Sequence, residues 1–143
     1  MDKYIGLESI IDKSKIRYNE SMKKHTTIRI GGDAKCMVIP TEIDDVIKTV
    51  NYARENNIEY FVIGNGSDLV VADEGVDGIV IKIANSLDKV IINGEEITAY
   101  AGCTMPKFAQ IAKKESLAGF EFACRNTWYY WWRHSNECRS IWI

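Results

Sequence analysis

Residues 1–124 contain no unbroken apolar run of the length a membrane-spanning helix needs. The opening MDKYIGLESIIDKSK sets charges among its apolar positions, which excludes a secretory signal. There is no CxxC. Cys36, Cys103, Cys124 and Cys138 are widely spaced, so neither a structural zinc site nor a disulfide framework is expected, and a reducing cytoplasm is. No sign of charge dominates: the net charge is −2, which gives no general pull toward nucleic acid or an anionic membrane. No metal is expected, and there is neither an internal repeat nor a low-complexity segment. Two residue types are missing by region. All 10 glycines precede Arg125, and all 4 tryptophans follow it.

What is present suits one soluble globular domain of 143 residues, 46% hydrophobic and 27% charged. Tyr4, Leu7, Ile10 and Ile11 fall at helical spacing, so residues 2–14 read as a short amphipathic helix. YNESMKKHTT is polar and reads as a loop. IRIGGDAKCMVIP reads as a strand bent at Gly31-Gly32 and resumed from Ala34 to Ile39. Thr41, with Asp44 three residues on, opens a helix whose apolar positions are Ile43, Val46, Ile47, Val50 and Ala53; Asn56-Asn57 ends it. A strand over 60–63, a glycine loop, an apolar run over 69–71 and the buried strand GIVIKI follow. KVIINGEEITAYAG reads as a hairpin turning at Asn93-Gly94 in a type I′ turn. Thr104, Pro106, Phe108, Ile111 and Ala112 mark a second helix, and LAGFEFAC a turn into a last short strand. The order of elements predicts a mixed α and β domain.

The glycine loop, Gly64-Asn65-Gly66-Ser67-Asp68, lies between two apolar segments. Glycines let backbone N–H groups converge on an anion at close range, and Asn65 and Ser67 add donors. That donor set suits a pyrophosphate, although GxGS alone is more often a tight turn. A Rossmann fingerprint needs a third glycine and a following helix, and a P-loop needs a Lys-Ser/Thr pair; both are missing. The setting is therefore strand–loop–strand. The Asp68 carboxylate would repel a pyrophosphate unless it bonds the N–H groups of its own loop.

KHTTIRIGGDA, VIGNGSDLVVADEGVDGIVIKI and AGCTMPKFAQIAKKESLAGFEFAC resemble, in order and spacing, the N-terminal half of the bacterial UDP-N-acetylenolpyruvoylglucosamine reductases, over about residues 16–124. Asp68 stands where that family usually has Asn. The resemblance implies an α+β fold of the vanillyl-alcohol-oxidase/PCMH-type that binds FAD, incomplete in this chain. It implies a loop over Ile63, Gly64, Asn65, Gly66, Ser67 and Asp68 cradling the FAD pyrophosphate, with Gly102, Ala123 and Cys124 toward the flavin. The family reaction implied is NADPH-dependent reduction of UDP-N-acetylglucosamine enolpyruvate to UDP-N-acetylmuramate for peptidoglycan, with the UDP-sugar as substrate. The same fold serves other flavoproteins, and a non-enzymatic nucleotide-binding remnant or an unstable fragment is the competing expectation.

The resemblance also accounts for the missing glycines. Such reductases continue with a segment close to GIPGTIGG and then a MNAGAYG-like run; here RNTWYYWWRHSNECRSIWI stands instead. Tryptophan has the single codon TGG, which read one base later begins a glycine codon. With suitable synonymous codons, residues 125–143 read one base later give GIPGTIGGGIVMNAGAYG. The expected organisation is a helix and loop over 1–28, an FAD-binding domain over 29–124, and an out-of-frame tail over 125–143. Arg133, His134, Glu137 and Cys138 then carry no site. The family's proton donor, Arg and Glu lie beyond Cys124, so no catalytic residue is assigned and the chain is expected to be inactive. Cys103 and Cys124 are read as semi-buried thiols. His25 is read as a loop or capping residue, because no carboxylate partner stands beside it in sequence.

Overall fold

A computed structural model describes residues 2–120 of the chain. They fall into two compact units, one ending at Ser86 and the other beginning at Leu87.

The first unit is built on a four-stranded sheet in the order β1-β2-β4-β3: β1 Ile16–Ser21, β2 Asp33–Val38, β3 Tyr60–Ile63 and β4 Val76–Lys82. β4 lies parallel to both β2 and β3, and β1 runs antiparallel to β2 at the edge. The central position of β4 explains its composition. Ile79, Val80 and Ile81 are all buried, so both faces of the strand are covered and its sequence is an apolar run rather than an alternation. Met22, Ala34, Met37, Ile63, Val71 and Val80 form one core cluster on this sheet.

β1 corrects the loop expected over YNESMKKHTT. Tyr18 pairs with Cys36 and Glu20 with Ala34, and a 3-10 turn follows at Met22–Lys24. An edge strand pairs on one side only and tolerates polar residues, which hid it from a reading based on hydrophobic periodicity. The N-terminal helix is also shorter than expected. α1 covers Asp2–Ile5, and 3-10 turns at Gly6–Ser9 and Lys13–Lys15 replace the rest. Tyr4, Leu7 and Ile11 are buried, but Ile10 is not.

The chain crosses from β2 to β3 through α2, Ile43–Glu55. Its capping box uses Glu42 and Asp45, one residue later than Thr41 and Asp44. The buried stripe is Asp45, Thr49 and Ala53, whereas Ile43 and Ile47 face solvent. The Asp45 carboxylate explains the rotation: it accepts from the backbone N–H of Thr41 and Glu42, each at 3.0 Å, and from the Lys15 ammonium at 2.8 Å. Thr49 donates its hydroxyl to the Asp45 carbonyl at 2.6 Å, so each buried polar group on this face is satisfied.

Leu69 and Val71 pack on the core without forming a strand, so the glycine loop is followed by irregular chain and not by the expected strand.

The second unit holds a hairpin, β5 Val90–Asn93 and β6 Glu96–Ala99, followed by α3, Met105–Lys114. Asn93 pairs with Glu96, which makes Gly94-Glu95 the turn in place of Asn93-Gly94. Of these two, Gly94 alone has positive φ, which fits a II′ turn and not the expected I′. Thr104 caps α3 by accepting from the Lys107 N–H, and Pro106 lies in its first turn, as the sequence led one to expect. The last expected strand lies beyond Phe120, outside the described residues. No helix among the described residues is long and apolar enough to cross a membrane.

Candidate functional site

The two motifs that carry the resemblance, separated by some thirty residues in sequence, are bonded to each other. Thr27 donates its backbone N–H to the Gly66 carbonyl at 3.0 Å. Further along, Gly32 donates to the Ala72 carbonyl at 2.8 Å, and Met22 donates to the Gly32 carbonyl at 3.1 Å. The segment His25–Gly32 therefore runs along the glycine loop and the chain that follows it. Gly66 has φ +68 and lies directly under the His25 carbonyl. In the rest of the loop, Ile63 is buried at the end of β3, Gly64 is half-buried, and Asn65, Ser67 and Asp68 are exposed.

Beside this junction is an open pocket of about 580 Å³. Lys23, Lys24, His25, Thr26, Thr27 and Arg29 line one wall; Asn65 comes from the glycine loop, and Lys82 from the end of β4. Four of these side chains are cationic and none is a carboxylate, so the pocket is a region of positive potential next to a loop of backbone donors.

His25 corrects its expected role. It is buried, 8% exposed, and bonded on both ring nitrogens. Nε2 lies 3.0 Å from Glu20 Oε1, and Nδ1 lies 2.9 Å from Lys82 Nζ. An ammonium can only donate, so Nδ1 accepts from Lys82, and Nε2–H donates to Glu20. The carboxylate partner is five residues upstream. A polar loop over these residues would not bring the two together; in a strand that turns back through Met22–Lys24, Glu20 and His25 meet. Glu20 also pairs with Arg17 and Lys24, each at 3.6 Å. The His25 hydrogen bond, with these two cations behind it, holds the Glu20 carboxyl below the usual carboxylate range against the opposing effect of burial. Burial, reinforced by the Arg17 charge and opposed by Glu20, holds the Lys82 ammonium below the usual lysine range.

Gly102 is buried in the second unit, where it donates its N–H to the Leu87 carbonyl at 2.7 Å. Cys103 beside it is fully buried, more deeply than the semi-buried thiol the sequence predicts, and burial raises its pKa. Ala123 and Cys124 lie outside the described residues. The structure thus brings Asn65 of the loop together with His25, Thr27, Arg29 and Lys82, none of which the sequence assigned to a ligand. For His25, Thr27 and Arg29 the available signal was HTT-x-R standing upstream of GNGS, the combination that carries the resemblance; Lys82 had none.

Comparison with known proteins gives concordant results. Residues 34–128 match the family model of an FAD binding domain. The UDP-N-acetylenolpyruvoylglucosamine reductase of Alkaliphilus oremlandii is 44% identical over 126 residues, 86% of this chain and 41% of the relative. That of Desulforamulus reducens is 45% identical over 117 residues, 82% of this chain and 38% of the relative. The chain thus spans about two-fifths of the length of these curated relatives. Among solved structures, the glucose dehydrogenase Phl p 4.0202 superposes with a TM-score of 0.64 at 12% identity, covering 80% of this chain and 27% of that one. Alkyldihydroxyacetonephosphate synthase gives 0.60 at 16% identity, with 80% and 27% covered. These likenesses establish the fold, part of the α+β architecture of the vanillyl-alcohol-oxidase/PCMH-type.

Proposed function

The chain belongs to the FAD binding domain family, and from that premise we propose that it is the cofactor-binding part of a UDP-N-acetylenolpyruvoylglucosamine reductase. The observation that carries this reading is the glycine loop bonded to the HTT segment beside a cationic pocket. The donor set fits a diphosphate. Backbone N–H groups of a Gly-rich loop supply short-range contacts, and the lysines and arginine offset two negative charges. Ile63, Gly64, Asn65, Gly66, Ser67 and Asp68 hold the diphosphate of FAD. Gly102, Ala123 and Cys124 lie toward the flavin.

FAD, when bound, supplies the hydride chemistry; the described residues bind the cofactor and orient it. NADPH is the reductant and the UDP-sugar enolpyruvate the substrate, in the cytoplasm, where peptidoglycan precursors are made. The family's substrate-protonating and charge-stabilising groups are not among the described residues. Residues 125–143 are read out of frame, and the chain on its own does not turn over. The four Trp codons, each hiding a glycine codon one base on, support this.

Two measurements test the reading. The purified chain is expected to bind FAD weakly, seen as quenching of flavin fluorescence when FAD is titrated with the chain, while NADPH oxidation stays at background with the enolpyruvyl substrate present. Failure to quench FAD at any concentration sinks the cofactor assignment. The nucleotide sequence across codon 125 is expected to encode GIPGTIGG one base later; any other reading removes the frame assignment.

A further inference from the structure

We infer that Lys82 is the charged contact for the phosphate groups of the ligand, held in place by a hydrogen-bond chain from Lys82 through His25 to Glu20. The chain crosses the site, from the C-terminal end of β4, through the buried His25, to β1 at the sheet edge. Its chemical class of ligand is a diphosphate ester. In naming that ligand FAD, the inference rests on the function proposed above.

Lys82 is in an unfavourable place for a cation without a purpose. It is half-buried, and Lys23, Lys24 and Arg29 line the same pocket. Arg17 adds a further positive charge that disfavours the ammonium. A methionine or leucine would end β4 without these costs. The structure instead provides an acceptor, His25 Nδ1, and behind it a carboxylate. His25 takes one of the three N–H donors of the ammonium, which leaves capacity for a ligand oxygen in a pocket with no carboxylate to compete. The imidazole is fixed as its Nε2–H tautomer, because Glu20 requires a donor and Lys82 an acceptor. His25 and Glu20 are therefore positioning residues. They hold a long, rotamer-rich side chain in one arrangement before a ligand arrives, which lowers the ordering cost of binding.

The experiment titrates the full chain with FAD and, separately, with inorganic pyrophosphate, at several salt concentrations. Lys82→Met is expected to weaken both ligands by about tenfold or more, the usual weight of a charge-assisted contact. It is also expected to flatten the salt dependence of binding, because one screened charge is gone. Lys82→Arg restores most of the affinity. His25→Leu weakens binding in the same direction. His25→Gln retains it, since a Gln amide can accept from Lys82 and donate to Glu20. Lys82→Gln, uncharged but polar, repeats the test should Lys82→Met disturb the far-UV circular dichroism. If the uncharged variants bind both ligands within about twofold of the wild type, the assignment is wrong. It is equally wrong if affinity falls with an unchanged salt slope and Arg brings no recovery, which marks a packing effect. Pyrophosphate binding that depends on Lys82, without any FAD binding, leaves the Lys82 assignment standing and removes the dinucleotide reading. A wild-type chain that binds neither ligand overturns both.

Discussion

The carbonyl oxygen of His25 lies 2.0 Å from the point where a Cβ on Gly66 would stand. The two residues belong to the two diagnostic motifs, and the contact shows why the motifs go together. The HTT segment can lie on the glycine loop only if position 66 has no side chain. Gly66 also has φ +68, a conformation that L-residues adopt at a cost. Gly66→Ala is therefore expected to destabilise the first unit by more than the ~1 kcal/mol of backbone strain alone and to abolish FAD binding. Gly94 provides the control. It has φ +61, but nothing lies within 4 Å of its missing Cβ. Gly94→Ala should cost only the backbone part, about 1 kcal/mol, and leave cofactor affinity unchanged. Thermal denaturation with flavin fluorescence separates the two. Equal losses for both variants would show that the His25 contact contributes nothing.

The legible parts of this fold were those with one dominant physical signal. β4 has an apolar run because both its faces are covered, and α3 has a Thr cap and an early Pro. The misread parts owe their structure to partners far away in sequence. β1 is a strand because Cys36 and Ala34 pair with it, although Tyr18 to Ser21 show no hydrophobic pattern. The sequence predicts a buried face on α2 of Ile43, Val46, Ile47, Val50 and Ala53. Ala53 is buried, but Ile43 and Ile47 face solvent, because the Asp45 carboxylate with donors from Lys15, Thr41 and Glu42 shares the buried stripe. The same limit hid half of the candidate site. GNGS announces itself by its glycines, but Glu20, His25 and Lys82 come together only once β1 and β4 belong to one sheet.

Asp45 ties the cap of α2 to the segment before β1, and its titration gives a pH signature. Burial alone would raise its pKa; the Lys15 hydrogen bond and the N–H groups of Glu42 and Thr41 outweigh burial and hold it below 3.8. The unfolded chain therefore takes up this proton first as the pH falls. The stabilisation is complete above the unfolded pKa and is lost as pH drops through the folded value. Asp45→Ala is expected to lower stability at neutral pH by ~2–3 kcal/mol, from loss of the cap and a lysine left without its partner. The gap to the wild type should narrow on acidification below about pH 4. Urea denaturation at neutral and acid pH measures it, and a gap that stays constant across that range would contradict the role given to the carboxylate.

The thiols of the two units give a last test, which also bears on chemistry. Cys36, on β2, is fully buried, and burial pushes its pKa up to about 12. Cys103 is likewise fully buried and raised by burial. At pH 8 the Cys36 thiol is ionised to about one part in ten thousand, so its nucleophilic form is scarce as well as inaccessible, and burial disfavours the thiolate of Cys103 in the same direction. Brief iodoacetamide treatment of the native chain should leave the peptides bearing Cys36 and Cys103 unmodified, and the same treatment in urea should label both. Rapid native labelling of Cys103 would place it at a reactive surface and contradict its burial. Protection of both fits the structural part that packing assigns to them.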